Sequence, residues 1–428
     1  STQKLQPIVD EQSNTFIYYR NVYKHWIEDK NELIWISERD GWRHIYLIDT
    51  QTGNVKRQLT KGDWVVKTII NIDEEKRTLL FKACGMDAGE DPYFEKYYSL
   101  NIDNGKIVCL TPENGNHIAT FTADYQYMLD SYSRVDSSPT VVVRSIAKEG
   151  KVIFKPEEQA NIDEAVAAGW RAPEAFTAKG RDGATDIWGV IIRPTDFDPN
   201  KKYPVIEYIY AGPHNSFVPK SFSIEHHGSA LAELGFIVVQ IDGMGTANRS
   251  KAFHDVCWKN LKDAGFPDRI KWIESAAAKY PEMNIDKVGI YGTSAGGQSS
   301  TGALLFYPEF YKVAVSSCGC HDNRMDKMWW NEQWMGYPIG QEYIDCSNVE
   351  NAHLLEGDLM LILGEMDNNV DPASTLQVVD KLIEHNKEFE FVMIPGERHS
   401  SGGKYGERKR RDFFVKHLLN SETPIWNR

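Results

Sequence analysis

The chain's 428 residues exceed one ordinary domain, and 41% hydrophobic with 12% aromatic content can fill two cores. A net charge of −13 argues against a nucleic-acid or anionic-membrane surface, because phosphate binding rests on Lys/Arg patches. No apolar run approaches the roughly 18–20 residues that span a bilayer. The chain opens with neither a signal peptide nor methionine, so its start reads as that of a processed or excised protein. The run Arg408–Arg411 opens a helix and reads as a solvated face. Scattered cysteines (Cys84, Cys109, Cys257, Cys318, Cys320, Cys346) make no disulfide framework. Cys318-Gly319-Cys320 lacks a second pair at metal spacing, and His226-His227 lacks the i, i+4 spacing of a helical zinc site. No metal or cofactor is implied.

The first part of the chain carries short apolar or aromatic runs between turn clusters: Leu33–Ser37, His44–Ile48, Val65–Ile70, Thr78–Ala83, Tyr97–Ile102, Tyr127–Ser131 and Thr140–Val143. These are strand signals. A faint repeat runs through them. Asp49-Thr50-Gln51-Thr52-Gly53-Asn54-Val55 is echoed by Asn101-Ile102-Asp103-Asn104-Gly105-Lys106-Ile107, and more weakly by Lys148–Val152. The period is close to the roughly 40–50 residues of propeller blades. A propeller closes with about four to eight blades, so these two or three read as the last blades of a ring whose others belong to a longer parent. The alternative is a small β-meander.

After a short helical linker beginning near Asn161, strands alternate with helices. The strands are Ile187–Ile192, Tyr203–Tyr210, Phe236–Ile241, Val288–Tyr291, Val313–Ser316, Leu359–Leu363 and Phe389–Ile394. Ile270, Ile273, Ala277 and Tyr280 form one apolar helical stripe between the third and fourth. This pattern predicts a mostly parallel, doubly wound sheet with its site at the carboxyl ends of the strands.

The sharpest motif is Gly292-Thr293-Ser294-Ala295-Gly296, a G-x-S-x-G nucleophile elbow following the apolar run from Val288. Serine at such a strand-to-helix turn is exposed as a nucleophile, and in α/β-hydrolases an acid and then a histidine follow it. His399 is the histidine that lies in a loop just after the last strand. Asp367 leaves the preceding strand, whereas Asp371 precedes Pro372 and a helical run and reads as an N-cap. The expected triad is Ser294, Asp367 and His399. The expected organisation is 1–158, a partial β-propeller, and 159–428, an α/β-hydrolase catalytic domain.

With these segments in hand the chain resembles the prolyl oligopeptidase family of serine peptidases, most closely its dipeptidyl peptidase IV branch. Ser37–Tyr46 is similar to a late propeller blade of that branch. Tyr203–Pro213, Asp242-Gly243-Met244-Gly245-Thr246 and the three triad segments are similar to its hydrolase domain. The resemblance implies an oxyanion hole made by the Tyr210 hydroxyl and the Ala295 N–H, and an asparagine, Asn369, that contacts the substrate carbonyl. It also implies that Trp330 and Trp334 stand where two tyrosines line the family's proline pocket, and that Ala295 replaces an aromatic residue. The pocket keeps its aromatic character but loses two hydroxyls.

The implied activity is a serine exo- or oligopeptidase acting on short peptides through an acyl-enzyme and releasing N-terminal dipeptides. That last step rests on resemblance alone, because the glutamate pair that binds the substrate amine belongs to earlier propeller sequence. The resemblance also favours an extracytoplasmic setting, periplasmic or secreted, and allows a homodimer. The competing readings are an acylaminoacyl peptidase or esterase, and a non-catalytic propeller that binds partners.

Overall fold

Alternating apolar residues in the N-terminal part pair into three antiparallel four-stranded sheets. The computed structural model describes residues 7–427. The first sheet is Lys24–Ile27, Glu32–Ser37, His44–Asp49 and Val55–Gln58. Val65–Asp73, Thr78–Cys84, Glu95–Asn101 and Ile107–Cys109 make the second. Asn116–Phe121, Tyr127–Arg134, Ser137–Ser145 and Lys151–Phe154 make the third. Each is a meander in chain order, the form of a propeller blade.

The repeat seen in the sequence is the last hairpin of each blade. Gly53, Gly105 and Gly150 have φ of 75°, 74° and 80°. Their N–H groups close the turns on the carbonyls of Asp49 (2.8 Å), Asn101 (2.8 Å) and Ser145 (3.0 Å). Ile34, Ile45, Val66 and Phe81 join the first two blades in one buried cluster. The strands without a sequence signal, such as Val55–Gln58 and Lys151–Phe154, are edge strands with exposed side chains, so no burial imposes alternation on them.

The chain divides into two compact units. The blade unit runs to Ile162 and also takes in Lys220–Ser223 and Ala247–Asp255, and the second unit holds the remainder. The second unit contains one eight-stranded sheet. Its strands are β1 (Glu174–Lys179), β2 (Asp186–Ile192), β3 (Tyr203–Tyr208), β4 (Ile237–Asp242), β5 (Met283–Thr293), β6 (Tyr311–Ser317), β7 (Asp358–Gly364) and β8 (Glu390–Ile394). They lie in the order β1-β2-β4-β3-β5-β6-β7-β8, parallel from β4 to β8, with β1 and β2 antiparallel at one edge. This is the α/β-hydrolase fold.

The principal helices are α1 (Phe266–Lys279), α2 (Ala295–Phe306), α3 (Met328–Met335), α4 (Ala373–Glu384) and α5 (Gly403–Leu418). Along β6, Val313 and Val315 join the buried cluster of Phe414 from α5, while the Ser316 hydroxyl donates to the Gly297 carbonyl of α2 at 2.7 Å. The two-residue period of a strand thus sets α5 and α2 on opposite faces.

Two expectations from the sequence are corrected here. The buried stripe of α1 is Phe266, Arg269, Trp272, Ile273 and Ala276, while Ile270, Ala277 and Tyr280 sit at its margin. A charged residue occupies the core face because Arg269 is paired there. Its guanidinium donates to the Glu207 carboxylate at 2.7 Å and to the Ile241 carbonyl at 2.6 Å, and the Tyr311 hydroxyl donates to the other Glu207 oxygen at 2.7 Å. The basic run 408–411 is not wholly a solvated face either, since Arg410 is buried with its guanidinium 4.4 Å from the Tyr291 ring centre. Among the described residues no helix is long and apolar enough to cross a membrane.

Candidate active site

β5 ends in the elbow. Ser294 has φ 63° and ψ −122°, a conformation that L-residues avoid and that costs about 1–3 kcal/mol where it is held. The surroundings that hold it are visible: the Ser294 N–H donates to the Ser317 carbonyl at 2.9 Å, and the Ser294 carbonyl accepts from the Gln298 N–H at 3.0 Å. The flanking glycines are required sterically. A Cβ on Gly292 would lie 2.4 Å from the Ile209 carbonyl oxygen, and one on Gly296 would lie 2.3 Å from the same atom. The end of β3 therefore crosses directly over the turn, and only hydrogen atoms fit beneath it.

The residues expected as acid and base, Asp367 and His399, follow β7 and β8. His399 Nδ1 and Asp367 Oδ2 are 2.7 Å apart. The other Asp367 oxygen accepts the N–H groups of Asn369 (2.9 Å) and Val370 (3.0 Å). Burial works to raise the Asp367 pKa, but the hydrogen bonds from His399, Asn369 and Val370 outweigh it and hold the carboxyl below the usual range. This acid is therefore ionised at neutral pH and fixes the imidazole's orientation. Asp371 does the other work expected of it, accepting the Ala373 N–H at 2.9 Å at the start of α4. Ser294 stands on the same carboxyl edge of the sheet, with no hydrogen bond from its Oγ to the His399 ring among the described residues. Such base-to-nucleophile bonds often tighten only once substrate binds.

Tyr210 lies just past β3, which ends at Tyr208, two residues earlier than the sequence suggests. Its ring packs on Phe217 (centroids 4.5 Å) and edge-on to His214 (5.7 Å), and its hydroxyl makes no hydrogen bond among the described residues. The Ala295 N–H opens α2, among the helix donors that have no partner within the helix. His214 reaches on to Trp330 at 4.8 Å, and Trp330 packs edge-on to Trp334 at 5.8 Å. Trp334 is only 1% exposed, so it backs Trp330 and presents no open face. Asn369 is exposed and its carbonyl accepts from Lys327 Nζ at the start of α3.

Two positioning features were not read from the sequence. Asp242, fully buried at the end of β4, accepts the N–H groups of Phe217 and Val218 at 2.9 Å each, and so carries the segment against which Tyr210 packs. An aspartate closing a strand that is apolar but for Gln240 was the available signal. A buried amide chain joins α2 to α3: Gln298 Nε2 donates to Asn323 Oδ1 at 2.8 Å, and Asn323 Nδ2 to Asn331 Oδ1 at 2.5 Å.

Residues 221–421 match the profile of the Prolyl oligopeptidase family, and residues 1–139 that of the Dipeptidyl peptidase IV (DPP IV) N-terminal region. The second part of the chain is thus similar to the prolyl oligopeptidase family, and the first to the N-terminal region of dipeptidyl peptidase IV. Dipeptidyl peptidase 8 of Mus musculus is 26% identical over 418 residues, covering 89% of this chain and 46% of that protein. Prolyl endopeptidase FAP of the same species is 24% identical over 381 residues, covering 86% and 49%. The crystal structure of Porphyromonas gingivalis dipeptidyl peptidase 4 superimposes with a TM-score of 0.82 at 24% identity, covering 94% of this chain and 56% of that one, a likeness of fold. The chain thus spans about half the length of the curated relatives it matches. Within the region that matches the Prolyl oligopeptidase family profile, this chain carries Ala295 after the elbow serine and tryptophan at 330 and 334.

Proposed function

We propose that the protein is a serine peptidase that hydrolyses short peptides through an acyl-enzyme and releases dipeptides from their N-termini. The observation that carries the reading is the 2.7 Å pair of His399 Nδ1 and Asp367, placed on the same sheet edge as a strained Ser294. In this mechanism His399 Nε2 takes the Ser294 proton as Oγ attacks the scissile carbonyl. Asp367 keeps the ring in the tautomer with its proton on Nδ1 and stabilises the imidazolium. The oxygen that becomes anionic accepts from the Ala295 N–H and the Tyr210 hydroxyl. His399 then returns the proton to the leaving amine, and water repeats the sequence to free the acyl group. Trp330, backed by Trp334, and Asn369 receive the substrate.

Fluorophosphonate labelling of Ser294 together with release of a chromophore from dipeptidyl anilides tests the reading. Labelling without release from dipeptidyl substrates, but with release from acyl-amino anilides or esters, would replace dipeptide release with the acylaminoacyl or esterase activity. An unlabelled Ser294 in folded protein would remove the enzyme reading altogether. On family likeness the reading also includes a homodimer and an extracytoplasmic setting, for which size-exclusion chromatography and cell fractionation are the checks.

A further inference from the structure

Cys318 has no part in the proposed mechanism, yet it stands in the middle of the site. It follows β6, the strand between those carrying Ser294 and Asp367, and has a left-handed φ of 47°. Its N–H donates to the Ile362 carbonyl of β7 at 2.9 Å, and its thiol to the Ser400 carbonyl, beside His399, at 3.2 Å. The thiol sulfur, a carboxylate oxygen of Asp367 and a ring nitrogen of His399 all lie within 4.8 Å of one another.

A second such cluster, Glu113, His117 and Asp130 in the third blade, is already filled by a cation of the protein. The Arg144 guanidinium donates to Asp130 at 2.8 Å and to Glu113 at 2.5 Å. No protein cation occupies the Cys318 cluster among the described residues.

We propose that Cys318, Asp367 and His399 form an inhibitory site for a thiophilic divalent cation of the zinc type. One thiolate, one imidazole and one carboxylate make a three-ligand set that leaves a fourth tetrahedral position for water or substrate. The softness of sulfur selects zinc-like ions, and a single carboxylate is too few oxygens for calcium or magnesium. A thiol ligates as its thiolate, so the incoming ion displaces the Cys318 proton to solvent.

The ring nitrogen facing Asp367 is Nδ1. When that atom binds the ion, its proton moves to Nε2, the nitrogen that must accept the Ser294 proton. The charges balance, with one proton released, and the general base is disabled without blocking the pocket. Spacing in the sequence could not reveal such a site, because its ligands leave three different strands.

The metal-binding half stands independently of the peptidase reading, whereas the inhibition rests on it, so two readouts are needed. Cobalt(II), titrated into protein kept reduced with a phosphine, should develop a thiolate-to-cobalt charge-transfer band that saturates at one equivalent. Cys318→Ser and Cys318→Ala should lose the band and Cys320→Ser should keep it, with melting curves confirming that each variant is folded. A wild-type protein without the band, or a band that survives in folded Cys318→Ser, overturns the site.

Zinc should slow hydrolysis of a dipeptidyl anilide, and excess chelator should restore it. Measured against each variant's own zinc-free rate, the inhibition constant should be at least about a hundredfold weaker in Cys318→Ser, since losing even an outer-sphere partner costs about 10–100-fold. A saturated cobalt site with turnover indifferent to zinc overturns the inhibitory role. If no peptide is cleaved at all, the peptidase reading has failed while the cobalt titration still decides the site.

Discussion

Replacing Tyr210 with phenylalanine removes one oxygen atom and nothing else that the protein uses for stability. The ring contacts with Phe217 and His214 are preserved, and the hydroxyl has no hydrogen bond to lose among the described residues. The folded state should therefore change by less than about 0.5 kcal/mol. The transition state should suffer far more, because the hydroxyl would donate to an oxygen that is fully anionic only in the tetrahedral intermediate. One lost donor of this kind raises the barrier by about 3–4 kcal/mol, a fall in kcat of about 10²–10³-fold with KM nearly constant.

Tyr343→Phe serves as the opposite control. That hydroxyl is buried and donates to the Gly336 carbonyl at 2.7 Å, so its loss leaves a buried acceptor unpaired and costs about 1–3 kcal/mol of stability. Steady-state kinetics on a dipeptidyl anilide and denaturant melts of both variants make the comparison. A Tyr210→Phe enzyme with unchanged kcat, or one whose lost activity tracks lost stability, would remove Tyr210 from the oxyanion hole.

Asp367→Asn should reduce kcat by about 10⁴-fold through the wrong imidazole tautomer, while Asp371→Asn, which keeps the cap on Ala373, should be close to wild type; the reverse ranking in one anilide assay would mean that the acid is misassigned. Because hydrogen bonds hold the Asp367 pKa down, its ionised form contributes stability that is fully present above about pH 4 and is lost as pH falls through the lower folded value. The stability gap between wild type and Asp367→Asn should accordingly close only below about pH 4, and closure between pH 5 and 7 would contradict the assignment. Gly296→Ala should abolish fluorophosphonate labelling, since its Cβ would meet the Ile209 carbonyl oxygen at 2.3 Å; normal labelling would show that β3 can move aside. Glu207→Gln leaves the buried Arg269 without its counter-charge and should cost about 3–5 kcal/mol in chemical denaturation, and a loss below about 1 kcal/mol would show that the arginine finds another partner.

Much of this protein is legible from local chemistry. Glycine on both sides of Ser294, the apolar run before it and the hairpin glycines Gly53, Gly105 and Gly150 each encode their own backbone geometry, because a turn with positive φ or a close approach admits little else. The alternation of strands and helices likewise carries the parallel sheet, and a loop histidine after its last strand stands out from those within helices. Tertiary structure decided what depends on partners distant in the chain. Arg269 faces the core side of α1 only because Glu207 on β3 meets it. Asp242 becomes the anchor of the Phe217 segment, and Cys318 a neighbour of Asp367 and His399, through a strand order that brings β4, β6 and β7 into place. None of these pairings has a period or a spacing to read, because each joins residues from different strand or helix ends whose distance is set by the sheet's register and not by the chain between them.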